Sequence, residues 1–402
     1  MVETIKNQGN PLLPLGINMC DCEAHVLGDG KLHIVGSVDV YENEYCSKHY
    51  HHIYTENMVN WVIEKNIFSW EEKEQLKLYA PDFCEISGYI YLFFCLSDGR
   101  EGYLCAEKWS AFKNAEINFF PVKGIDPSVL VDNEEVYYYW GQFSLHAAKL
   151  IEVKSKLNLI SCKKDILTEQ LHYFHEGVSI RKIKGKYYAL YASIKNGKPT
   201  ALDYAIAAKP FGPYKRMGTV VDNNTCDPKV WNNHGSIESF KGQWYEFYHR
   251  SYNNSPYMRH LCIEKIDIDE TGKIQYVNMT SSGIADSVMK ESYFAYECAE
   301  IVGKGFLKKT GITEVIKGYR DDELNFRYCT IPNVINRIVV VCTGFAILEW
   351  YINEEFMAKT VSINGKTCIL KKNNEVRSGR GVTLKIIIKK CVAFKMNSFL
   401  LE

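Results

Sequence analysis

The chain has 402 residues, is 46% hydrophobic, and carries 48 Lys+Arg against 48 Asp+Glu. That length accommodates a large domain plus a smaller one, each with its own core. The neutral balance argues against nucleic acid or an anionic membrane as partner, since both select a basic excess, and no run reaches the roughly 18 apolar residues of a membrane span.

From the N-terminus, Met1 to Asn10 is polar and lacks the apolar stretch of a signal peptide. The expected localisation is therefore cytoplasmic. The 14 cysteines agree, being scattered as free buried thiols of a reducing compartment are. Cys20 and Cys22 stand one residue apart with no second pair at zinc-site spacing. The His49, His51, His52 cluster has no nearby carboxylate or thiol to complete a metal site and reads as a surface loop or pocket wall.

One phrase then recurs five times: a turn glycine or polar pair, followed by aromatic and β-branched residues. The copies open at Gly30, Gly88, Glu135, Gly185 and Gly242, with bursts centred on Leu32, Tyr91, Tyr137, Tyr187 and Tyr245. Their spacing is about 46 to 59 residues, the mark of propeller blades of several short strands each. The sequence predicts an all-β protein whose first part, residues 1–288, is a five-bladed β-propeller. One short helix or turn is expected over Trp70–Lys77.

A polar residue stands eleven positions before four of the bursts: Asp21, Asp126, Glu176 and His234. Asp82 stands nine before the fifth. The start of a blade's innermost strand lies near the axis, so the repeat gathers Asp21, Asp126, Glu176 and His234 around one channel. Asp82, off the offset, reads as a wall or structural residue. Two carboxyls across a cleft, one protonated and one ionised, are the equipment of glycoside hydrolysis. A third beside the acid raises its pKa by like-charge repulsion. Tyr79, Trp140 and Trp231 suit stacking on sugar faces.

After Gly283-Ile284 the pattern changes. Residues 289–402 read as a β-sandwich, jelly-roll-like, with strands at Ile338–Cys342, Phe345–Trp350, Thr360–Ile363, Thr367–Leu370 and Val382–Ile388. Turn signals at Asn364-Gly365 and Asn373-Asn374 divide them. This domain either binds carbohydrate or braces the propeller.

Residues 9 to 285 resemble glycoside hydrolase family 43, five-bladed propeller hydrolases of plant hemicellulose. The resemblance is carried by Asn10-Pro11, by Asp21-Cys22-Glu23-Ala24-His25-Val26 with Gly36-Ser37-Val38-Asp39, and by Tyr79-Ala80-Pro81-Asp82. Next come Ile125-Asp126-Pro127-Ser128-Val129, Phe174-His175-Glu176 with Ser179-Ile180-Arg181-Lys182, and Phe211-Gly212-Pro213-Tyr214. Last come Asn233-His234-Gly235-Ser236-Ile237 and Trp244-Tyr245-Glu246-Phe247-Tyr248-His249-Arg250. Each motif is weak alone; the ordered set is specific. The resemblance implies Asp21 as general base, Asp126 as modulator and Glu176 as general acid, with inversion of configuration. It implies His234 and Arg259 at the substrate pocket; His25, Tyr79 and Trp140 are the further substrate-binding candidates. No cofactor is required; a structural or channel cation such as Ca2+ is implied beside His234.

Two departures stand out. Cys22 replaces the proline that often follows the base, and Tyr79 stands where tryptophan is common. The first leaves the base in place; the second changes a pocket wall. The resulting expectation is an exo-acting, inverting hydrolase releasing pentose from hemicellulose-derived oligosaccharides, with α-L-arabinofuranose favoured over β-D-xylose. The rivals are a retaining fructosidase, with Asp21 as nucleophile, and a non-catalytic sugar-binding propeller.

Overall fold

The computed structural model describes residues 2–14, 16–71, 75–153, 156–285, 290, 292–310, 313–332, 334–375 and 381–402. Each aromatic burst forms a strand, and the polar turn before it folds the preceding strand back as an antiparallel hairpin. Ser87-Gly88, Lys184-Gly185 and Lys241-Gly242 turn with both residues at positive φ, the geometry of a two-residue hairpin loop.

Five sheets result. The first contains β1 (Val2–Lys6), β2 (Met19–Val26), β3 (Leu32–Val38), β4 (His49–Thr55) and β5 (Asn60–Ser69), with β2 innermost and β1 on the outer edge. The second contains β6 (Asp82–Ile86), β7 (Tyr89–Cys95), β8 (Arg100–Ala106) and β9 (Asn118–Lys123). The third contains β10 (Ser128–Asp132), β11 (Glu135–Trp140), β12 (Ser144–Val153) and β13 (Lys156–Thr168). A single helical turn, α1 (Glu169–His172), leads to the fourth: β14 (Phe174–Ile183), β15 (Lys186–Ser193), β16 (Ala201–Ala207) and β17 (Lys215–Asp222). The fifth contains β18 (Ser236–Phe240), β19 (Gln243–Tyr252) and β20 (Ser255–Ile266).

The first strands of the blades close a ring. β2 packs against β6 and β18, β10 against β6 and β14, and β14 against β18. The aromatic bursts are the second strands, and their side chains fill the wedges between blades. Phe94 meets Trp70 in a core that includes Tyr50, Tyr138 meets Phe93 and Phe120, and Tyr248 shares a core with Tyr204. Each such burial contributes about 1.5–3 kcal/mol, so the repeated phrase is chiefly a packing device. The fifth blade is completed by the N-terminal segment. Leu12 N–H donates to Leu261 O of β20, and the Asn10 amide bonds Ile263 from both sides and reaches Glu264. Leu12 and Leu13 join Trp61 and Phe247 in the core between the fifth and first blades.

The C-terminal region is one antiparallel sheet curled on itself: β21 (Tyr293–Phe294), β22 (Glu300–Val302), β23 (Phe306–Thr310), β24 (Thr313–Lys317), β25 (Glu323–Tyr328), β26 (Val334–Ile352), β27 (Glu355–Glu375) and β28 (Val382–Leu401). It encloses Trp350, Phe326, Phe394 and Phe399, and Tyr252 and Met258 of the fifth blade share this core.

Three local expectations are revised. The Trp70–Lys77 helix does not form at its described flanks, where Trp70 is buried against Phe94; residues 72–74 lie outside the described residues. The predicted turns at Asn364-Gly365 and Asn373-Asn374 lie inside β27, and Ile338–Cys342 joins Phe345–Trp350 as β26. Bulges near Gly344 and Gly365 absorb the irregularity that the sequence shows as turns. The histidine cluster is not a loop. His49, His51 and His52 lie on β4, and His52 is buried, stacked on Trp109 at 3.8 Å between ring centroids and hydrogen-bonded to His33 and Glu64.

Candidate active site

One pocket of about 370 Å³ opens at the end of the channel where the inner strands begin, lined by Asp21, Asp126, Glu176, Tyr79, His234 and Arg259 among others. The offset rule accounts for this. Asp21 is the third residue of β2 and Glu176 the third of β14, while Asp126 and His234 each precede an inner strand by two residues. In the second blade the residue at the offset of eleven is Ala80, and Ala80 lines the pocket. Asp82, two residues further in, is buried deeper in the channel and accepts from the Val129 N–H at 2.6 Å.

Local backbone geometry aims these groups. Asp21 and Asp126 hold φ of 48° and 58°, the left-handed region that aspartate tolerates better than most residues. At Asp21 this accompanies a bulge between Cys20 and Glu23 in the β2–β3 pairing. Gly177 (φ 66°) lies under the His234 imidazole, and a Cβ there would come within 2.7 Å of Nδ1. A glycine after Glu176 is thus needed for both conformation and space.

The electrostatics separate the acids. Arg259 Nη1 donates to Asp21 Oδ1 at 2.5 Å, while its Nε and Nη2 clasp Asp39 at 2.8 and 2.9 Å. Burial pushes the Asp21 carboxyl up, but Arg259, His234 and His249 outweigh it and hold it at about 2. Asp21 is therefore ionised at neutral pH. The single guanidinium serves two acids unequally, and burial keeps Asp39 above its ordinary value. Asp126 goes the other way. Burial, then the carboxylates of Glu176, Asp21 and Glu101, push its carboxyl well up. Glu176 is half-buried and accepts a 2.7 Å hydrogen bond from Gln142 Nε2. The pocket thus holds one carboxylate fixed as a negative charge, Asp21, and one carboxyl under pressure to retain its proton, Asp126. That combination supports general acid–base chemistry on a ligand between them.

Two sequence-derived candidates lie elsewhere. His25 is four residues beyond Asp21 on β2, roughly 13 Å along an extended strand. Its Nε2 lies 2.8 Å from Asp82 Oδ1, and it lines a separate cavity of about 460 Å³ with Arg181 and Glu238. Trp140 is buried in the core between the second and third blades, stacked on Tyr138 and edge-on to His146. The chain turns at Gly141, and it is Gln142 that reaches the pocket. Sequence reasoning missed Asp39, Tyr45, Cys46, Gln142, Asn232 and His249. Asp39 ends the Gly36–Asp39 motif, and His249 belongs to the Trp244–Arg250 motif. Tyr45 and Cys46 carried no signal, because tertiary contacts bring their loop over the pocket: Tyr45 meets Tyr257 edge-on at 4.6 Å, and Ser255 Oγ donates to Glu42 O.

A cation beside His234 would find one imidazole nitrogen and Asp126 Oδ2, 3.9 Å apart. A hard cation takes six to eight oxygen ligands, and among the described residues no third His, Cys or carboxylate ligand joins these two within 4.8 Å. The described cluster that does offer three ligand atoms at that spacing is Glu23, His25 and Asp82, deeper in the channel. There Arg181 already donates to Glu23 at 2.6 Å, and His25 pairs with Asp82. Among the described residues, His, Cys and carboxylate side chains alone do not complete a cation site at His234.

Comparison with known proteins is consistent with this geometry. Residues 41–274 match the family model for glycosyl hydrolases family 43. A xylosidase/arabinosidase of Thermoclostridium stercorarium is 28% identical over 346 residues, covering 72% of this chain and 71% of that protein. A beta-xylosidase of Xylanibacter ruminicola is 26% identical over 254 residues, covering 52% and 76%. Among solved structures, a family 43 beta-xylosidase/alpha-arabinofuranosidase from a compost microbial metagenome, with xylotriose and calcium-free, aligns at a TM-score of 0.58 and 20% identity over 68% of this chain and 98% of that one. An arabinoxylan arabinofuranohydrolase from Bacillus subtilis aligns at a TM-score of 0.56 and 16% identity over 98% and 97%, so both domains have counterparts in one fold. The chain belongs to glycosyl hydrolases family 43 and is a glycoside hydrolase.

Proposed function

We propose that this hydrolase is exo-acting and inverting, and that it releases single pentose units, favouring α-L-arabinofuranose, from arabinoxylan-derived oligosaccharides. The carrying observation is the opposed state of two acids in one pocket: Asp21 pinned as a carboxylate by Arg259, and Asp126 pushed up against Glu176. In this reading Asp21 takes a proton from a water attacking the anomeric carbon. Glu176, oriented by Gln142, donates a proton to the departing glycosidic oxygen. Asp126 holds the proton balance of Glu176 and contacts the sugar. An inverting pair leaves room for that water between its carboxyls.

The pocket supports exo action. At about 370 Å³ it lies at the small end of ligand cavities, and Tyr45, Tyr79 and the Cys46 loop wall it. Such a site takes a terminal sugar rather than the middle of a polymer. The relatives' names carry both xylosidase and arabinosidase, so β-D-xylose release is the second reading. The test is a panel of nitrophenyl pentosides with arabinoxylo-oligosaccharides, scored by the sugar released. Arabinose as the main product supports the favoured reading. Xylose as the main product replaces it with the second, and no pentose from any substrate overturns both.

A further inference from the structure

Resting on that reading, we propose that Phe143 is the platform for the leaving-group sugar, the first unit beyond the bond that is cut. The acid fixes where that sugar must sit. Whatever protonates the glycosidic oxygen stands on the leaving-group side, so the departing unit emerges next to Glu176. Phe143 is built into that side through both neighbours of the acid. Gln142, which precedes Phe143, lines the pocket and donates to Glu176 Oε2 at 2.7 Å. His175, which precedes Glu176, packs edge-on against the Phe143 ring at 5.1 Å and 84°. The backbones are tied as well, with Phe143 N–H donating to His175 O and Glu169 N–H donating to Phe143 O.

The ring held this way is 53% exposed, which the fold does not require. A half-exposed phenylalanine at positive φ (63°) is costly in two respects. The segment paired with it carries two more exposed apolar side chains, Leu171 (76%) and Tyr173 (44%). Phe143 itself adjoins the pocket through Gln142, which lines it and bonds the acid. A pentose ring presents an apolar face of C–H groups to an aromatic surface, and its hydroxyls stay in water at the rim. The occupant assigned to the Phe143 ring is therefore the acceptor-side sugar of an oligosaccharide, and Phe143 governs the preference for oligosaccharide over small glycosides.

The experiment compares Phe143→Ala and Phe143→Trp with wild type on two readouts. One is kcat/KM for a xylo- or arabinoxylo-oligosaccharide of three sugars. The other is the inhibition constant of the free pentose released, which occupies only the pocket. Phe143→Ala is expected to lower kcat/KM on the oligosaccharide by about tenfold, equivalent to about 1.4 kcal/mol, with the inhibition constant within twofold of wild type. Phe143→Trp is expected to retain wild-type kcat/KM or exceed it. An unchanged kcat/KM in Phe143→Ala overturns the assignment, as does an equal loss on both readouts, which would mark a residue shaping the pocket itself. Wild-type enzyme that releases no pentose defeats the underlying reading instead, so the two failures are distinguishable.

Discussion

Arg259→Met removes the charge that holds Asp21 ionised while keeping most of the side-chain volume. Asp21 sits at about 2 against an ordinary 3.8, which at 1.36 kcal/mol per pKa unit is about 2 kcal/mol in favour of the carboxylate. Burial works against that figure, so the guanidinium contributes more than the net. Without it the buried Asp21 rises above 3.8, since desolvation is then opposed chiefly by His234 and His249. The assay is the pH dependence of kcat/KM, which reports the free enzyme's essential groups. Wild type is expected to show no acid limb down to about pH 4. Arg259→Met should acquire one between about pH 4 and 6, as protonated Asp21 can no longer accept from water. Losing one partner of a buried pair costs about 3–5 kcal/mol, so Asp39→Asn is added to remove the other orphaned carboxylate. A folded Arg259→Met/Asp39→Asn variant whose profile stays flat from pH 4 to 6 would refute the reasoning. The sign for stability follows as well. Asp21's depressed pKa stabilises the native state above pH 3.8, and that contribution is lost as pH falls toward 2.

Three further substitutions test the site. Asp21→Asn and Glu176→Gln should each lower kcat by roughly 10²–10⁴-fold or more, with circular dichroism unchanged; wild-type rates in either would remove that residue from the chemistry. Gly177→Ala puts a Cβ 2.7 Å from His234 Nδ1 at a φ of 66°, and should cost about 1–3 kcal/mol in a thermal melt with at least a tenfold drop in kcat/KM; a melt and rate equal to wild type would show the ring free to move.

Much of the architecture was legible because a propeller repeats its own grammar. Turn glycine, aromatic strand and a polar residue at fixed distance are local features, and they placed Asp21, Asp126, Glu176 and His234 at one end of the channel. The same rule located the exception, since Ala80 and not Asp82 holds the pocket position in the second blade. What failed was whatever depends on side-chain direction. His25 shares β2 with Asp21, yet lies four residues deeper and joins Asp82, Arg181 and Glu238. Trp140 is one turn short of the pocket and packs between blades. Loops that cross between blades left no trace at all: Tyr45 and Cys46 arrive through contacts with Tyr257 and Arg259, more than two hundred residues away. In the last domain the turn signals were real irregularities, but long paired strands absorbed them as bulges.

The central claim, that Asp21 activates a water rather than attacking the sugar, is tested most directly by the anomeric form of the first product. A proton NMR time course on an α-L-arabinofuranoside, or on a β-xyloside if xylose is the product, reads this before mutarotation. The account predicts that the first-formed free sugar has the configuration opposite to the substrate's. A product that first appears with the substrate's configuration would contradict it and assign Asp21 to covalent catalysis.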